Sequence, residues 1–400
     1  MNIGIFTETY YPEINGVATS SYMLKNELER RGHNVYVFTT TTPGAPEREL
    51  NVFRVPSIPF LFITERRVGL FYQRKLASLI KKLNLDIIHT QTEFSLGIFG
   101  RIMARELKLP IVHTYHTIYE DYTHYLTRFK ALDRRAKAFA RTYSKVCCNT
   151  VEQVIVPTEK TKQLLTRYHV HKEISVIPTG IDLHKFDRSN YSAEEVASLK
   201  KQYGILPEQK VLLYLGRVSQ EKNLEEVIRA MPEYMKKRED AVFVVVGSGP
   251  ALEKLKSLAE RLKLKDRFTF TGAKPWDTIG LFYRLGDVFV SASQSETQGL
   301  TYIEALASGV PVVAREDKCL EDILVQGVNG YMFTDKEGLY HGLDRILYLD
   351  KETDYSVNAK NSVNKFSTDE FARRVEQVYH QVMSRDRVFC KRPRNDDKRI

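Results

Sequence analysis

Long apolar runs are missing from this 400-residue chain. No stretch approaches the about 18–20 residues of a membrane span, so no part of it is expected to cross a bilayer. Cysteine is scarce. Cys147, Cys148, Cys319 and Cys390 show neither zinc-ligand spacing nor a C-x-x-C redox pair, and the adjacent two could form only a strained bridge. All four are expected to be thiols in a reducing cytoplasm. The opening MNIGIFTETYY lacks the charged start, long apolar stretch and small-residue cleavage site of a secretory signal, and reads as a first β-strand. There is no short repeat or low-complexity tract. There is also no G-x-G-x-x-G, which argues against a dinucleotide enzyme.

What is present is an ordinary globular composition, 42% hydrophobic and 28% charged. The chain is longer than the roughly 250–300 residues at which one core stops growing, so two domains are expected. The net charge of +10 is unevenly placed: residues 1–184 hold 25 Lys+Arg against 17 Asp+Glu. An acidic partner suits that half, whether nucleic acid, anionic membrane or a phosphorylated substrate; a solvated basic surface is the plain alternative.

Short apolar runs alternate with helical patterns, the signal of parallel sheets covered by helices. Strands are expected at 2–7, 35–40, 86–90, 111–116 and 154–158, then at 211–216, 242–247, 268–272, 287–291 and 310–314. The alternation occurs twice. It predicts an α/β protein of two Rossmann-like domains, with the polar DRSNYSAEEV as linker chemistry. The first domain is expected over 1–190 with 366–400 returning to it, the second over 191–365. Ligands of such sheets bind beyond the strand carboxyl ends, where the polar clusters fall, and two sheets facing one cleft would gather them.

In the first loop, Gly16 precedes a helix whose backbone could approach a phosphate, or simply allows a tight turn. In "GRVSQEKN" (216–223), Arg217 and Lys222 leave a strand end together and could neutralise a diphosphate, with Asn223 placed to cap the next helix. In "SETQGLTYIEALASGVPVVA" (295–314), Glu296 lies in a loop after a strand. Gly299 and Leu300 open a helix whose free N–H groups attract an anion, and Glu304 on that helix could accept from ribose hydroxyls. Eight helical residues span roughly 12 Å, whereas a glycosidase pair stands about 5–9.5 Å apart. Hydrolysis is therefore disfavoured.

These two segments together resemble the signature of the retaining family 4 glycosyltransferases, of GT-B fold. The resemblance runs from residue 2 to about 385 and includes "NGV" in the first loop and "PTGID" (178–182) at the domain crossing. It implies that Glu296 contacts the donor sugar, Glu304 the ribose, and Arg217 and Lys222 the diphosphate, with no metal or other cofactor. "IGIFTETYYPEINGVATS", "DIIHTQTEFSLG" and "HTYHTIYEDYTHY" resemble more closely the bacterial diacylglycerol glucosyltransferases, which use UDP-glucose. The family histidine that reaches the donor sugar matches His116, and His113, expected on the same strand and face, competes with it. Where Gln91 stands, that group more often has histidine.

Residues 126–145 carry Arg128, Lys130, Arg134, Arg135, Lys137, Arg141 and Lys145 against Asp133. Leu126, Phe129, Ala136, Ala140 and Tyr143 recur near helical spacing, so a basic amphipathic helix is expected. It could lie on an anionic membrane or pack on the core with a solvated basic face. The segment 60–83 is a second candidate.

The resulting expectation is a cytoplasmic enzyme, peripheral at the inner face of the membrane, that moves glucose from UDP-glucose to 1,2-diacylglycerol. Its rivals are a family 4 transferase using another sugar or acceptor, such as phosphatidylinositol or a soluble glycan, and a non-catalytic nucleotide-sugar-binding protein. Nucleic acid is not expected as a partner, because no binding motif accompanies the charge.

Overall fold

The computed structural model describes residues 1–390 except 14, 47–48, 61–62, 70–72 and 121–129, and except the side chains of 59–60, 63–68, 130–132 and 386–390. It divides into two compact units. One is Met1–Gly180 with the segment from Thr368 onward, and the other is Ile181–Ser367.

The first unit runs β1 (Asn2–Phe6), α1 (Gly16–Arg30), β2 (Asn34–Thr40), β3 (Val52–Val55), β4 (Ser57–Phe60), β5 (Ile63–Gly69), α2 (Arg74–Lys82), β6 (Ile87–Thr90), α3 (Ser95–Leu107), β7 (Ile111–Thr114), α4 (Lys130–Asn149), β8 (Gln153–Val156), α5 (Glu159–Arg167) and β9 (Glu173–Val176). Seven of these strands form a parallel sheet in the order β3-β2-β1-β6-β7-β8-β9. Its central strands are buried along their length, which is why they read as continuous apolar runs.

The second unit runs α6 (Ala193–Gln202), β10 (Lys210–Leu215), α7 (Leu224–Lys237), β11 (Ala241–Val246), α8 (Leu252–Arg261), β12 (Phe268–Gly272), α9 (Ile279–Leu285), β13 (Val288–Ser291), α10 (Leu300–Ala307), β14 (Val312–Arg315), β15 (Gly330–Phe333), α11 (Lys336–Asp344) and α12 (Tyr355–Ser362). Its six parallel strands are ordered β12-β11-β10-β13-β14-β15. The last helix, α13 (Thr368–Cys390), belongs to the first unit. There Val375, Val378, Tyr379 and Val382 share a core with Ile3, Ile5 and Val112, and Glu376 pairs with Arg31 at 2.9 Å.

Two expectations need correcting. The first division falls after Gly180, not at 190, because DRSNYSAEEV is folded into the second unit: Asp187 pairs with Lys360, and Ser192 with Glu195 forms the capping box of α6. The segment 60–83 is not one amphipathic helix either. Its first half is β5, paired antiparallel with β4, and only residues from Arg74 are helical.

In each sheet the strand order reverses about the first strand, at β1/β6 and at β10/β13. Such a reversal opens a crevice at the strand carboxyl ends. The loops 216–223 and 292–299 flank that point in the second unit; the loops after β1, β6 and β7 gather near it in the first.

Candidate active site

In the second unit the loop after β10 is held by backbone contacts with the loop after β11: Val218 N–H donates to Ser248 O at 2.9 Å, and Ala251 N–H to Val218 O at 3.0 Å. Gly249, at φ +156, makes this approach possible, since a Cβ there would stand 2.3 Å from the Val218 carbonyl oxygen. The loop so fixed carries Arg217 and Lys222. Lys222 Nζ meets Glu296 Oε1 at 2.5 Å, across 74 residues of chain. Asn223 opens α7 at φ +51, but its amide donates to Glu226 at 2.6 Å and does not cap the helix, contrary to expectation.

Gly299 sits at φ +79 directly before α10, where a Cβ would press to 2.4 Å from the Tyr302 ring. No side chain caps this helix. Tyr302 N–H turns back to Gly299 O at 3.0 Å, and the N–H groups of Leu300 and Thr301 retain capacity for an anion beside the Lys222–Glu296 pair. Glu304 is buried and accepts from Tyr283 Oη at 2.7 Å. Burial raises its pKa to about 7, with the Tyr283 hydrogen bond and the nearby Lys185 ammonium opposing. Lys185 lies over the Trp276 ring, and burial lowers its pKa to about 8. Neither Tyr283 nor Lys185 was singled out from the sequence. Tyr283 reaches Glu304 from a separate helix, and Lys185 lies three residues after "PTGID".

The raised Glu304 pKa has a measurable consequence. The unfolded carboxyl loses its proton near pH 4.5 while the folded one keeps it to about 7, so this group's contribution to stability falls as pH rises across that window. Glu304→Gln, which cannot ionise, should gain on the parent between pH 4.5 and 8, by up to about 3 kcal/mol. Paired denaturant titrations check this; a constant difference across the window would refute it.

In the first unit, Asn15 caps α1 by accepting from Val17 N–H at 3.1 Å and Ala18 N–H at 3.0 Å. Gly16 is exposed at this helix start, yet two of the donors a phosphate would use there are already taken. The histidines separate clearly. β7 ends at Thr114, so the two do not share a strand face as expected. His113 is fully buried, with Nε2 at 3.1 Å from Glu93 and Nδ1 bonded to Thr90, which commits it to the interior. His116 lies beyond the strand end and is half-buried, with Nε2 at 2.7 Å from Gln91 Oε1. Burial lowers its pKa to about 4, so the ring is neutral near pH 7.

The basic helix is α4. Arg128 lies outside the described residues, and of Lys130 only its place at the helix start is described. Arg134 and Arg135 are exposed, Lys137 pairs with Asp133 at 2.9 Å, and Arg141 pairs with Glu120. Ala140, Ser144, Cys147 and Cys148 face inward, so the helix uses its apolar stripe for the core. Phe139 is left 72% exposed, stacked on Tyr143, which stacks in turn on the exposed Phe94. No helix among the described residues is long and apolar enough to cross a membrane.

The two doubly wound sheets, and a lysine–carboxylate pair set against an uncapped helix start, define a GT-B glycosyltransferase. The sequence matches the profile "Glycosyltransferase Family 4" over residues 14–185 and "Glycosyl transferases group 1" over 195–362. The chain belongs to glycosyltransferase family 4. It is 40% identical over 382 residues to an alpha-monoglucosyldiacylglycerol synthase of Streptococcus pneumoniae, covering 95% of this chain and 85% of that one. It is 34% identical over 399 residues to the protein of the same name from Acholeplasma laidlawii, covering 96% and 98%. In fold it is similar to Anabaena HepE, solved in complex with UDP, with a TM-score of 0.74 at 17% identity over 95% of this chain and 100% of that one.

Proposed function

We propose that this enzyme transfers glucose from UDP-glucose to 1,2-diacylglycerol at an anionic membrane surface, giving α-glucosyl-diacylglycerol with retention of configuration. The observation that carries the donor half is the Lys222–Glu296 contact beside the uncapped start of α10. It joins a cation for a diphosphate to a carboxylate for sugar hydroxyls. The acceptor half rests on the names of the two relatives.

In this reading Arg217, Lys222 and the α10 N–H groups stabilise the charge that grows on UDP as it leaves. They do work that a metal does elsewhere, so none is needed. Glu304 holds the ribose, while Glu296 and His116 hold the glucose. The bond from the anomeric carbon to the phosphate oxygen breaks, and the diacylglycerol hydroxyl bonds to that carbon on the face UDP leaves. Its proton passes to the departing phosphate oxygen. The enzyme works as a peripheral protein on the inner face of the cell membrane, with Arg134, Arg135 and Phe139 of α4 against the lipid.

The test is an assay of purified protein with a panel of UDP-sugars and diacylglycerol in vesicles of graded anionic content. UDP-glucose should be preferred, the product anomer should be α, and a chelator should leave the rate unchanged. Each surface cation is worth about 1 kcal/mol near an anionic leaflet. Arg134→Gln with Arg135→Gln should therefore weaken vesicle binding roughly 30-fold without changing UDP affinity, and salt should do the same by screening. A folded double variant that binds vesicles like the parent would reduce α4 to a solvated face. Transfer to a soluble acceptor but not to diacylglycerol would overturn the lipid assignment.

A further inference from the structure

The first unit contains a buried polar chain that ends at His116. His89 on β6 is fully buried, with Nδ1 at 2.7 Å from Tyr379 Oη of α13 and Nε2 at 2.7 Å from Thr114 Oγ1 of β7. Both in-plane directions of its ring are thus occupied by hydroxyls. Gln91, 1% exposed, places its Nε2 at 3.2 Å from each of the two ring nitrogens. Within the ring plane those equal distances would drive the amide into Cε1, so it lies over the ring face. An N–H group suits the electron-rich face and a carbonyl oxygen does not. This settles the amide orientation: nitrogen toward His89, oxygen toward His116.

An amide oxygen can only accept. With Gln91 Oε1 at 2.7 Å from His116 Nε2, that nitrogen must carry the proton. We infer that Gln91, anchored on His89, is a positioning residue that fixes His116 as the Nε2–H tautomer and leaves the Nδ1 lone pair for a sugar hydroxyl. No described protein group hydrogen-bonds Nδ1. The neutrality of both rings, which burial enforces, agrees with this. The anchor spans β6, β7 and α13, so the C-terminal helix is linked to the orientation of this histidine by two side chains. That His116 serves the donor sugar rests on the function proposed above; that Gln91 sets its tautomer does not.

The experiment separates the two. With nitrogen-15 histidine labelling, the His116 resonances are assigned by their loss in His116→Phe. The parent should show a protonated Nε2 and an unprotonated Nδ1. Gln91→Met, similar in length but without hydrogen-bonding atoms, should give a mixture of tautomers. Groups that orient a metal-bound histidine through its other nitrogen typically matter about 10–100-fold, and a factor of that order is expected here. Gln91→Met should lower kcat by that factor while UDP affinity, held by the second unit, is unchanged; parent-like resonances of the buried His113, in the same unit as Gln91, report that this unit is folded. An unaltered His116 tautomer in Gln91→Met overturns the inference. A changed tautomer with undiminished turnover upholds Gln91 as its determinant and instead removes His116 from the donor sugar.

Discussion

Replacing Lys222 with alanine is expected to lower kcat/KM for UDP-glucose roughly 30- to 4,000-fold. The estimate follows from truncating one partner of a buried charge pair, which costs about 2–5 kcal/mol. Lys222 and Glu296 are 20% and 14% exposed in their side chains, so neither is fully screened by solvent. In the proposed reading the variant loses the cation for the diphosphate and leaves the Glu296 carboxylate unbalanced where further negative charge would bind. Lys222→Arg keeps the charge but replaces a compact ammonium with a planar fork, so partial recovery is expected. Steady-state kinetics and calorimetry with UDP measure both effects. Unchanged UDP affinity in Lys222→Ala and also in Arg217→Ala would remove the diphosphate assignment from this loop.

The elements legible in the sequence were those whose burial is continuous. β10 and β11 are apolar at nearly every position because helices cover both faces of their sheet. β3, β9 and β15 were not foreseen. All three are four-residue strands at sheet edges; β3 and β9 are partly exposed there and tolerate polar residues such as Arg54, Glu173 and Ser175, while β15 is buried but too short and glycine-led to show a pattern. β5 was taken into an amphipathic segment, 60–83, because its Arg66 and Arg67 run into the basic stretch of α2.

The site shows the same division. Glu296, Gly299, Leu300 and Glu304 lie within nine residues, where one loop-to-helix turn sets their relations, and spacing suffices to group them. The contacts between distant segments were invisible: Lys222 with Glu296, Tyr283 with Glu304, and Gln91 with His116. Crossover connections bring those partners together, and no local periodicity records which side chains meet at the strand ends.

The Lys222–Glu296 contact also gives the two glutamates opposite signatures. Without donor, Glu296 neutralises Lys222; under the proposed function, the ammonium turns to the diphosphate when donor binds. Glu296→Ala removes that competitor, so UDP itself, which has no glucose, should bind as well as to the parent or more tightly. Turnover should nevertheless fall roughly 10- to 150-fold, the worth of about 1.5–3 kcal/mol for a hydrogen bond to a charged group that is now missing from the sugar. Glu304→Ala should behave in the reverse way. Its proposed partner is the ribose, present in UDP, and the change also strips Tyr283 Oη of the carboxylate it donates to. UDP affinity should drop by a similar factor, and saturating donor should restore much of the rate. Calorimetry with UDP, alongside kcat and KM for UDP-glucose, separates the two patterns. Equal losses of UDP affinity in both variants would show that Glu296 touches the nucleotide and not the sugar, and would overturn the division of roles between the carboxylates.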